Sequence, residues 1–327
     1  MILRRSWDLC PWIACERTAL GALTRCAVLS ARRQSLSARP LLAALVFVLL
    51  LPALASAQGT WDPLTRKLVD DGFDPMKLHA LFSRAEVRFD PQVMARKMNA
   101  LLEVKLSTGK PKPEAPELYE SYLNPFLLLQ ARGFLATQRQ ALSAVRARYG
   151  VPEEILTALL LVETKLGRNI GSKSALSTLA SMALAGDFSL IAPHFDHREV
   201  PPELALWLRL RTAQKGAWAY KELKALLIYA NKAGVDPAGI PGSVYGAIGI
   251  CQFMPTNAVR YGADFDGDGR VDLFETGDAL MSAGRFLAEH GWRPNLTREK
   301  QMTVLYRYNH SHSYTRTIMA VADRLRD

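Results

Sequence analysis

The segment most informative about the fold covers residues 149–168 and reads YGVPEEILTALLLVETKLGR. Proline suits the first position of a helix, and Pro152 is followed by Glu153 and Glu154, whose charges suit the positive end of a helix dipole. Residues 155–166 are apolar on nearly every side, which is typical of a helix buried in a protein core. The segment therefore predicts a helical protein assembled around this helix.

The rest of the chain also favours helices. Apolar residues recur at helical spacing over about 60–108, and Asp-Pro pairs at 74–75 and 90–91 are typical of helix starts. Further helices are expected over about 116–148 and over 278–289. Strand signals are weak throughout, so the predicted fold class is mostly α.

The clearest linker is the segment TGKPKP at residues 108–113, because glycine and proline interrupt regular structure there. It divides the chain into a leader at 1–57, an N-terminal helical subdomain with the linker at 58–114, and a larger domain at 115–327.

Composition excludes a disordered chain, since 49% of the residues are hydrophobic. The formal net charge is +10 at pH 7. Residues 1–57 hold seven arginines against Asp8 and Glu16, a net charge of +5, so the remaining chain carries +5. A mildly basic body suits any polyanionic surface and does not single out nucleic acid.

The N-terminus has the three parts of an export signal. Three arginines at 32–39 precede an apolar run at 41–54, and the small residues ASA follow at 55–57. The pattern predicts export and cleavage between Ala57 and Gln58. An uncleaved membrane anchor is the alternative, although a run of about 14 residues is short against the roughly 20 of a spanning helix.

Cysteine content agrees with export. Three of the four cysteines lie in the leader, which leaves Cys251 alone in the mature chain and excludes an internal disulfide. A lone cysteine in such a position is more often a small buried residue than a nucleophile. We therefore expect no catalytic role for Cys251.

Residues 264–275 read DFDGDGRVDLFE and match the twelve-residue calcium loop of EF-hands at every required position. Ca²⁺ takes about six to eight oxygen ligands, and Gly269 permits the sharp turn that brings them together. The predicted ligands are five acidic side chains and one backbone carbonyl, namely Asp264, Asp266, Asp268, the carbonyl of Arg270, Asp272 and Glu275. A single loop with no second loop to pair predicts a structural calcium ion rather than a calcium sensor.

Glu163 is the carboxylate at the end of the predicted buried helix. Burial disfavours the charged form and raises the pKa of a glutamate, and a carboxyl protonated near neutral pH can serve as a general acid. The alternative is a structural glutamate paired with Lys165 or Arg168, because ion pairs also perturb carboxylates. This segment alone favours the structural alternative.

Five separated blocks carry a resemblance to a known family. They are Glu163-Thr164-x-x-Gly167-Arg168, Ala175-Leu176-x-Thr178-Leu179, Gly242-Ser243 with Gly246-Ala247-x-Gly249-x-x-Gln252-Phe253-Met254-Pro255, the acidic loop with His290-Gly291-Trp292, and Tyr308-Asn309-His310-Ser311 with Tyr314. In order and spacing they resemble the B-type lytic murein transglycosylases, from about residue 115 to the C-terminus. Each block is a modest signal, and together they are specific.

The resemblance implies a lysozyme-like helical domain at 115–327, with the EF-hand-type loop inserted and a helical subdomain before it. It implies non-hydrolytic cleavage of the MurNAc-β-1,4-GlcNAc bond of peptidoglycan, which leaves a 1,6-anhydromuramoyl end. Glu163 would act first as the acid and then as the base. The implied partners are glycan strands and a structural Ca²⁺, with no nucleic acid, and we expect a monomer.

Further site residues follow from the same resemblance. Ser243 and Gln252 would bind sugar or N-acetyl groups, and Tyr308 would stack on the substrate or hydrogen-bond near the acid. The remaining implied residues form the groove wall or support the acid: Phe253, Met254, Pro255, Asn309 and Tyr314. A further groove tyrosine could come from Tyr119 or Tyr122.

Two departures from the family pattern concern the groove. Residues 180–184 read ASMAL where an aromatic-Pro-Arg-Arg run is typical of the best-known members, and the segment between Trp292 and Tyr308 is short. Three other functions stay open on the residues alone. They are a peptidoglycan-binding module with reduced catalysis, a hydrolytic muramidase, and a calcium-regulated interaction protein.

Overall fold

The computed structural model describes residues 59–107, 117–195, 200 and 202–327. Within them there are twelve α-helices and one two-stranded sheet, so the mostly α fold class is confirmed. The predicted leader, its cleavage site and the linker at 108–113 lie outside the described residues. No helix of the described ranges is both long and apolar enough to cross a membrane.

In chain order the helices are α1 (Asp62–Asp70), α2 (Pro75–Phe82), α3 (Gln92–Leu106), α4 (Pro125–Thr137), α5 (Arg139–Tyr149), α6 (Glu153–Thr164), α7 (Ala175–Leu184), α8 (Pro202–Ala233), α9 (Pro255–Tyr261), α10 (Thr276–Glu289), α11 (Arg298–Tyr308) and α12 (His312–Arg326). Strand β1 (Lys173–Ser174) pairs antiparallel with β2 (Pro241–Gly242). The predicted helix over 116–148 is divided into a short 3₁₀ turn, α4 and α5, and α10 begins two residues before the predicted start.

Contacts divide the chain into two compact units, one ending at Arg84 and one running from Ala85 to Asp327. In the first unit the Asp74 side chain accepts hydrogen bonds from the backbone N–H groups of Met76 and Lys77, which starts α2 at the predicted Asp-Pro pair. Trp61 packs on Phe82 with ring centroids 5.2 Å apart.

Helix α3 belongs to the larger unit, whereas the predicted boundary at 114 placed it in the N-terminal subdomain. The reason is its apolar face, on which Met94 and Met98 join a buried cluster with Met182 of α7 and Leu208 of α8. Spacing along α3 predicts such a face but not which helices cover it.

The core of the larger unit surrounds α6, in which every residue from Ile155 to Thr164 is buried. Helices α4, α5, α10 and α12 pack against it. Pro152 is the N-cap, one position earlier than expected, and the helix ends at Thr164 rather than 166. The chain leaves the helix there because Lys165 and Leu166 adopt left-handed backbone angles, with φ of 52° and 61°. The predicted buried helix is thus the centre of the fold.

A compact loop joins β2 to α9. Its backbone turns back twice through isolated bridges, which pair Ile248 first with Gly242 and then with Phe253. Gly249 has a φ of 74°, and a Cβ there would lie 2.5 Å from the Cβ of Leu273. Only glycine fits this left-handed, crowded position, so the loop rests directly against the acidic segment.

Candidate active site

Glu163 lies in the last turn of α6, and only 8% of its surface is exposed. The Tyr314 hydroxyl on α12 donates a 2.6 Å hydrogen bond to Oε1 of this carboxyl. Oε2 is buried and has no hydrogen-bond partner among the described residues. The two oxygens of the carboxyl therefore have unlike surroundings, one hydrogen-bonded and one buried without a partner among the described residues.

Burial raises the pKa of Glu163 from 4.5 to about 8, and the hydrogen bond from Tyr314 opposes that increase. Desolvation prevails because a single neutral donor replaces little of the hydration that a carboxylate loses. Lys165 and Arg168 are not buried with the acid. The direct partner of the acid is a tyrosine and not either of these cations, contrary to the structural alternative.

Tyr314 is oriented by the start of α12. Ser311 is the N-cap, and its hydroxyl accepts a hydrogen bond from the Tyr314 backbone N–H. The Tyr314 side chain is 1% exposed, so its hydroxyl points into the protein interior toward α6.

Tyr308 lies on the other side of the connection between α11 and α12. Its hydroxyl donates to the carbonyl oxygen of Cys251 at 2.5 Å. Burial raises the pKa of Tyr308 well above 10, and the nearby charge of Glu163 adds to the effect. Of the two tyrosines in the last block, Tyr314 bonds the acid and Tyr308 holds the loop beside it.

The loop before α9 carries the predicted sugar-binding residues. Gln252 has a φ of 49°, and its Nε2 donates to the carbonyls of Gly249 (2.9 Å) and Ile170 (3.3 Å). The Ser243 hydroxyl accepts from the backbone N–H of Ala247 at 3.0 Å. Each of these polar side chains thus also stabilises the loop that presents it.

The residues expected to form the groove wall, Phe253, Met254 and Pro255, are all buried. The Phe253 ring is 1% exposed and packs against Phe286 and Tyr308, with centroids 5.7 Å and 5.8 Å away. It supports the wall from the core instead of forming its surface, because its ring packs among other aromatic side chains. Met254 is also buried and Pro255 begins α9.

The other expected residues lie in the segments around α6 and at the junction of α11 and α12. Asn309 is the C-cap of α11 and is 2% exposed. Tyr122 donates to the carbonyl of Val162, the residue before the acid, at 3.2 Å. Tyr119 and Ser311 have hydroxyls 3.4 Å apart. Tyr122 is therefore a buried support of α6. The Cys251 thiol is buried and its pKa is raised to about 12, which agrees with an inert side chain.

Oxygen atoms of Asp264, Asp266 and Asp268 in the acidic loop lie within 4.8 Å of one another. The Asp264 carboxylate accepts hydrogen bonds from the backbone N–H groups of Gly267 and Gly269. These bonds fold the loop around the Asp264 carboxylate, and both glycines have positive φ.

Asp278 was not predicted, since it follows the twelve-residue pattern. Its carboxylate accepts from the backbone N–H of Phe265 at 2.8 Å and of Asp272 at 2.7 Å, so it joins the two arms of the loop. Burial and the charges of Asp264 and Asp266 raise its pKa. The signal available in the sequence was an acidic residue in the first turn of α10.

Comparison with known proteins agrees with this fold. Residues 56–301 match the family described as the transglycosylase SLT domain, and the chain belongs to that family. It is 28% identical over 238 residues to the membrane-bound lytic murein transglycosylase B of Escherichia coli (strain K12). That match covers 72% of this chain and 57% of the relative, so the chain matches little more than half of the relative's length.

Solved structures show the same fold. Escherichia coli lytic transglycosylase SLT35, in complex with bulgecin A, superposes with a TM-score of 0.59 at 20% identity, covering 82% of this chain and 93% of that one. Pseudomonas aeruginosa SltB3, in complex with NAG-anhNAM-pentapeptide, superposes with a TM-score of 0.60 at 22% identity. The match covers 83% of this chain and 80% of that one. The lysozyme-like lytic transglycosylase fold implied by the sequence blocks is thereby confirmed.

Proposed function

We propose that this protein is a lytic transglycosylase that cleaves the MurNAc-β-1,4-GlcNAc bond of peptidoglycan, with Glu163 as its only catalytic carboxyl. The observation that carries the proposal is a buried carboxyl with a pKa of about 8, held by Tyr314 in the fold of this family.

Glu163 begins the reaction as an acid. At neutral pH a carboxyl with this pKa is largely protonated and can transfer its proton to the leaving glycosidic oxygen. We assign the proton transfer to Oε2, which has no hydrogen-bond partner among the described residues, because Oε1 accepts from Tyr314. Tyr314 then stabilises the carboxylate that forms.

The same carboxylate completes the reaction as a base. It takes the proton from the 6-hydroxyl of the muramoyl residue, and that oxygen attacks C1 to close the 1,6-anhydro ring. The substrate's N-acetyl group shields the positive charge at C1 meanwhile. Most glycosidases need a second carboxylate, but substrate assistance removes that need. Asp187 and Asp236 instead accept backbone hydrogen bonds in short 3₁₀ turns.

The loop before α9 would hold the sugar. Both hydrogens of the Gln252 amide are directed to backbone carbonyls, which leaves its Oε1 to accept from an N-acetyl N–H or a hydroxyl. Ser243, Met254 and Tyr308 would line the groove with it, and Asn309 would support Tyr308. The peptidoglycan strand is the partner that we infer, and the protein acts as a monomer.

We further propose that the acidic loop binds one structural Ca²⁺. The residues fit this ion, because three carboxylates converge and hard oxygen donors suit calcium. Asp264, Asp266, Asp268, the Arg270 carbonyl, Asp272 and Glu275 would hold it. Bound calcium would offset their mutual repulsion and stabilise the loop. An SLT35 structure with a TM-score of 0.59 is described as a complex with calcium, which supports the assignment.

Export to the periplasm, where peptidoglycan lies, is the localisation that fits this activity. The N-terminal signal pattern supports it, and the curated relative is named as membrane-bound. We infer cleavage between Ala57 and Gln58, with an uncleaved anchor as the alternative.

Mass spectrometry of purified sacculi treated with the protein tests the proposal, with Glu163→Gln as the matched variant. We expect anhydro-muropeptides from the wild type alone. Products heavier by one water would mean a hydrolytic muramidase. Intact glycan with sacculus binding by both proteins would mean a binding module.

A further inference from the structure

The residue after the acid, Thr164, has a buried hydroxyl that makes two short hydrogen bonds. Its Oγ1 donates to the carbonyl of Ile250 at 2.8 Å and accepts from the backbone N–H of Gly167 at 3.0 Å. The first bond joins α6 to the loop of Gln252, and the second closes the turn that follows the acid. One hydroxyl therefore ties the end of the catalytic helix to both neighbouring segments.

That turn needs support. Lys165, Leu166 and Gly167 all have positive φ, and the first two are residues for which this conformation is costly. Such a conformation persists only where surrounding contacts determine it. The Thr164 hydroxyl supplies one of these contacts at the point where α6 must end with the Glu163 side chain correctly aimed.

Ile250 has a second anchor, through its backbone N–H. Its backbone N–H donates to the carbonyl of Leu273 in the acidic loop at 2.8 Å, and the next carbonyl, of Cys251, accepts from Tyr308. The Ile250 segment is therefore a fixed support, and Thr164 connects the acid to it. Gln252, two residues further on, shares that support.

We propose that Thr164 is a positioning residue for Glu163, which fixes the acid relative to Gln252 through Ile250. The inference rests on the proposed function, since its readout is transglycosylase activity. The hydroxyl does not contact the reacting atoms, so its removal should lower kcat and leave KM nearly unchanged.

The test compares three variants. Thr164→Val removes the hydroxyl at nearly constant volume, and Thr164→Ser keeps it. Thr157→Val is the matched control, because Thr157 is fully buried on the same helix and its hydroxyl has no hydrogen-bond partner among the described residues. Steady-state kinetics on glycan strands are measured from about pH 5 to 9, a range that brackets the pKa of the acid, together with thermal unfolding.

Thr164→Val should lower kcat by about 10- to 100-fold, the effect of losing one well-placed hydrogen bond, with KM within about threefold of wild type. Thr164→Ser should recover kcat to within about threefold, and Thr157→Val should equal wild type. The alkaline limb of the pH profile should also move in Thr164→Val, because the surroundings of Glu163 change.

Equal kcat values in folded Thr164→Val and Thr157→Val would overturn the proposal, as would a Thr164→Ser enzyme as slow as Thr164→Val. If Thr164→Val does not fold, Thr164→Cys in reducing buffer replaces it and should lie between serine and valine in kcat. Absence of anhydro products from the wild type would instead refute the proposed function.

Discussion

The carboxyl of Glu163 has two unlike oxygens, and their surroundings explain its chemistry. Oε1 accepts from a neutral hydroxyl, while Oε2 is buried without a partner among the described residues. Removal from water is the dominant effect and raises the pKa to about 8. A side chain so placed is costly for stability once it ionises, and useful for proton transfer.

Glu163→Gln should be more stable than the wild type, with a difference that grows with pH. Unfolded glutamate ionises near 4.5 and the folded residue near 8, so wild-type stability is fully present below pH 4.5 and is lost as pH rises toward 8. The loss is at most about 1.4 kcal/mol per pH unit. Urea unfolding of both proteins at about pH 4.5, 6 and 8 measures this difference. A difference in the free energy of unfolding that does not change with pH would contradict the assigned pKa.

Tyr314→Phe should lower kcat about 10- to 100-fold, because a hydrogen bond to a charged group is lost. It should also move the alkaline limb of kcat/KM to higher pH, since the bond from Tyr314 lowers the pKa of Glu163. The control is Tyr306→Phe on α11, whose ring stacks on His312. An unchanged pH profile in Tyr314→Phe would show that this bond does not act on the acid.

At the scale of elements, the loop between β2 and α9 decides how the groove is assembled. Its glycines let the backbone approach neighbouring segments that any side chain would push away. A Cβ on Gly246 would lie 2.6 Å from Leu179, and one on Gly249 would lie 2.6 Å from the Leu273 carbonyl oxygen. The loop is thereby held against α7 on one side and the acidic loop on the other.

Gly249→Ala should destabilise the protein by about 2–5 kcal/mol, since it combines a left-handed backbone with a collision. Gly133→Ala is the control. Gly133 is exposed within α4, nothing lies within 4 Å of the point that a Cβ would occupy there, and alanine should stabilise the helix by about 0.5–1 kcal/mol. Urea midpoints report both changes. An unchanged urea midpoint in Gly249→Ala would mean that the loop does not depend on this contact.

At the scale of the whole molecule, the acidic loop is bonded into the core beside the acid. The Leu273 N–H donates to the Tyr229 hydroxyl on α8 at 3.1 Å, and its carbonyl accepts from Ile250. The acidic loop is therefore hydrogen-bonded to the segment that carries Gln252, and a change in the loop would affect that segment. An ion that binds only the folded loop stabilises the whole unit by mass action.

Calcium should raise the Tm, and a chelator should lower it. At a concentration about one hundred times Kd the ion adds about 2.7 kcal/mol to the free energy of unfolding. Asp266→Asn should reduce the calcium-dependent shift, while Asp70→Asn, an exposed substitution in α1, should keep it. Differential scanning calorimetry with and without chelator measures this. Identical midpoints for the wild type would refute the calcium assignment.

Much of the architecture could be predicted from local patterns. Apolar residues on all sides of 155–166 indicated the buried helix, and ligand spacing over 264–275 indicated the acidic loop. Both are properties of a few neighbouring residues, so they can be recognised from the sequence without the tertiary structure. The position of Glu163 at the end of a buried helix followed from the same reasoning, and the five sequence blocks indicated the family.

Only the tertiary structure decided which groups meet. Tyr314 lies 151 residues from Glu163 in sequence, and nothing local distinguishes it from Tyr308 as the partner of the acid. The same holds for the bond of Thr164 to Ile250, the inward rotation of Phe253 and the docking of α3 on α7. Such contacts depend on the packing of distant elements, because burial and hydrogen-bond geometry exist only when the helices have come together.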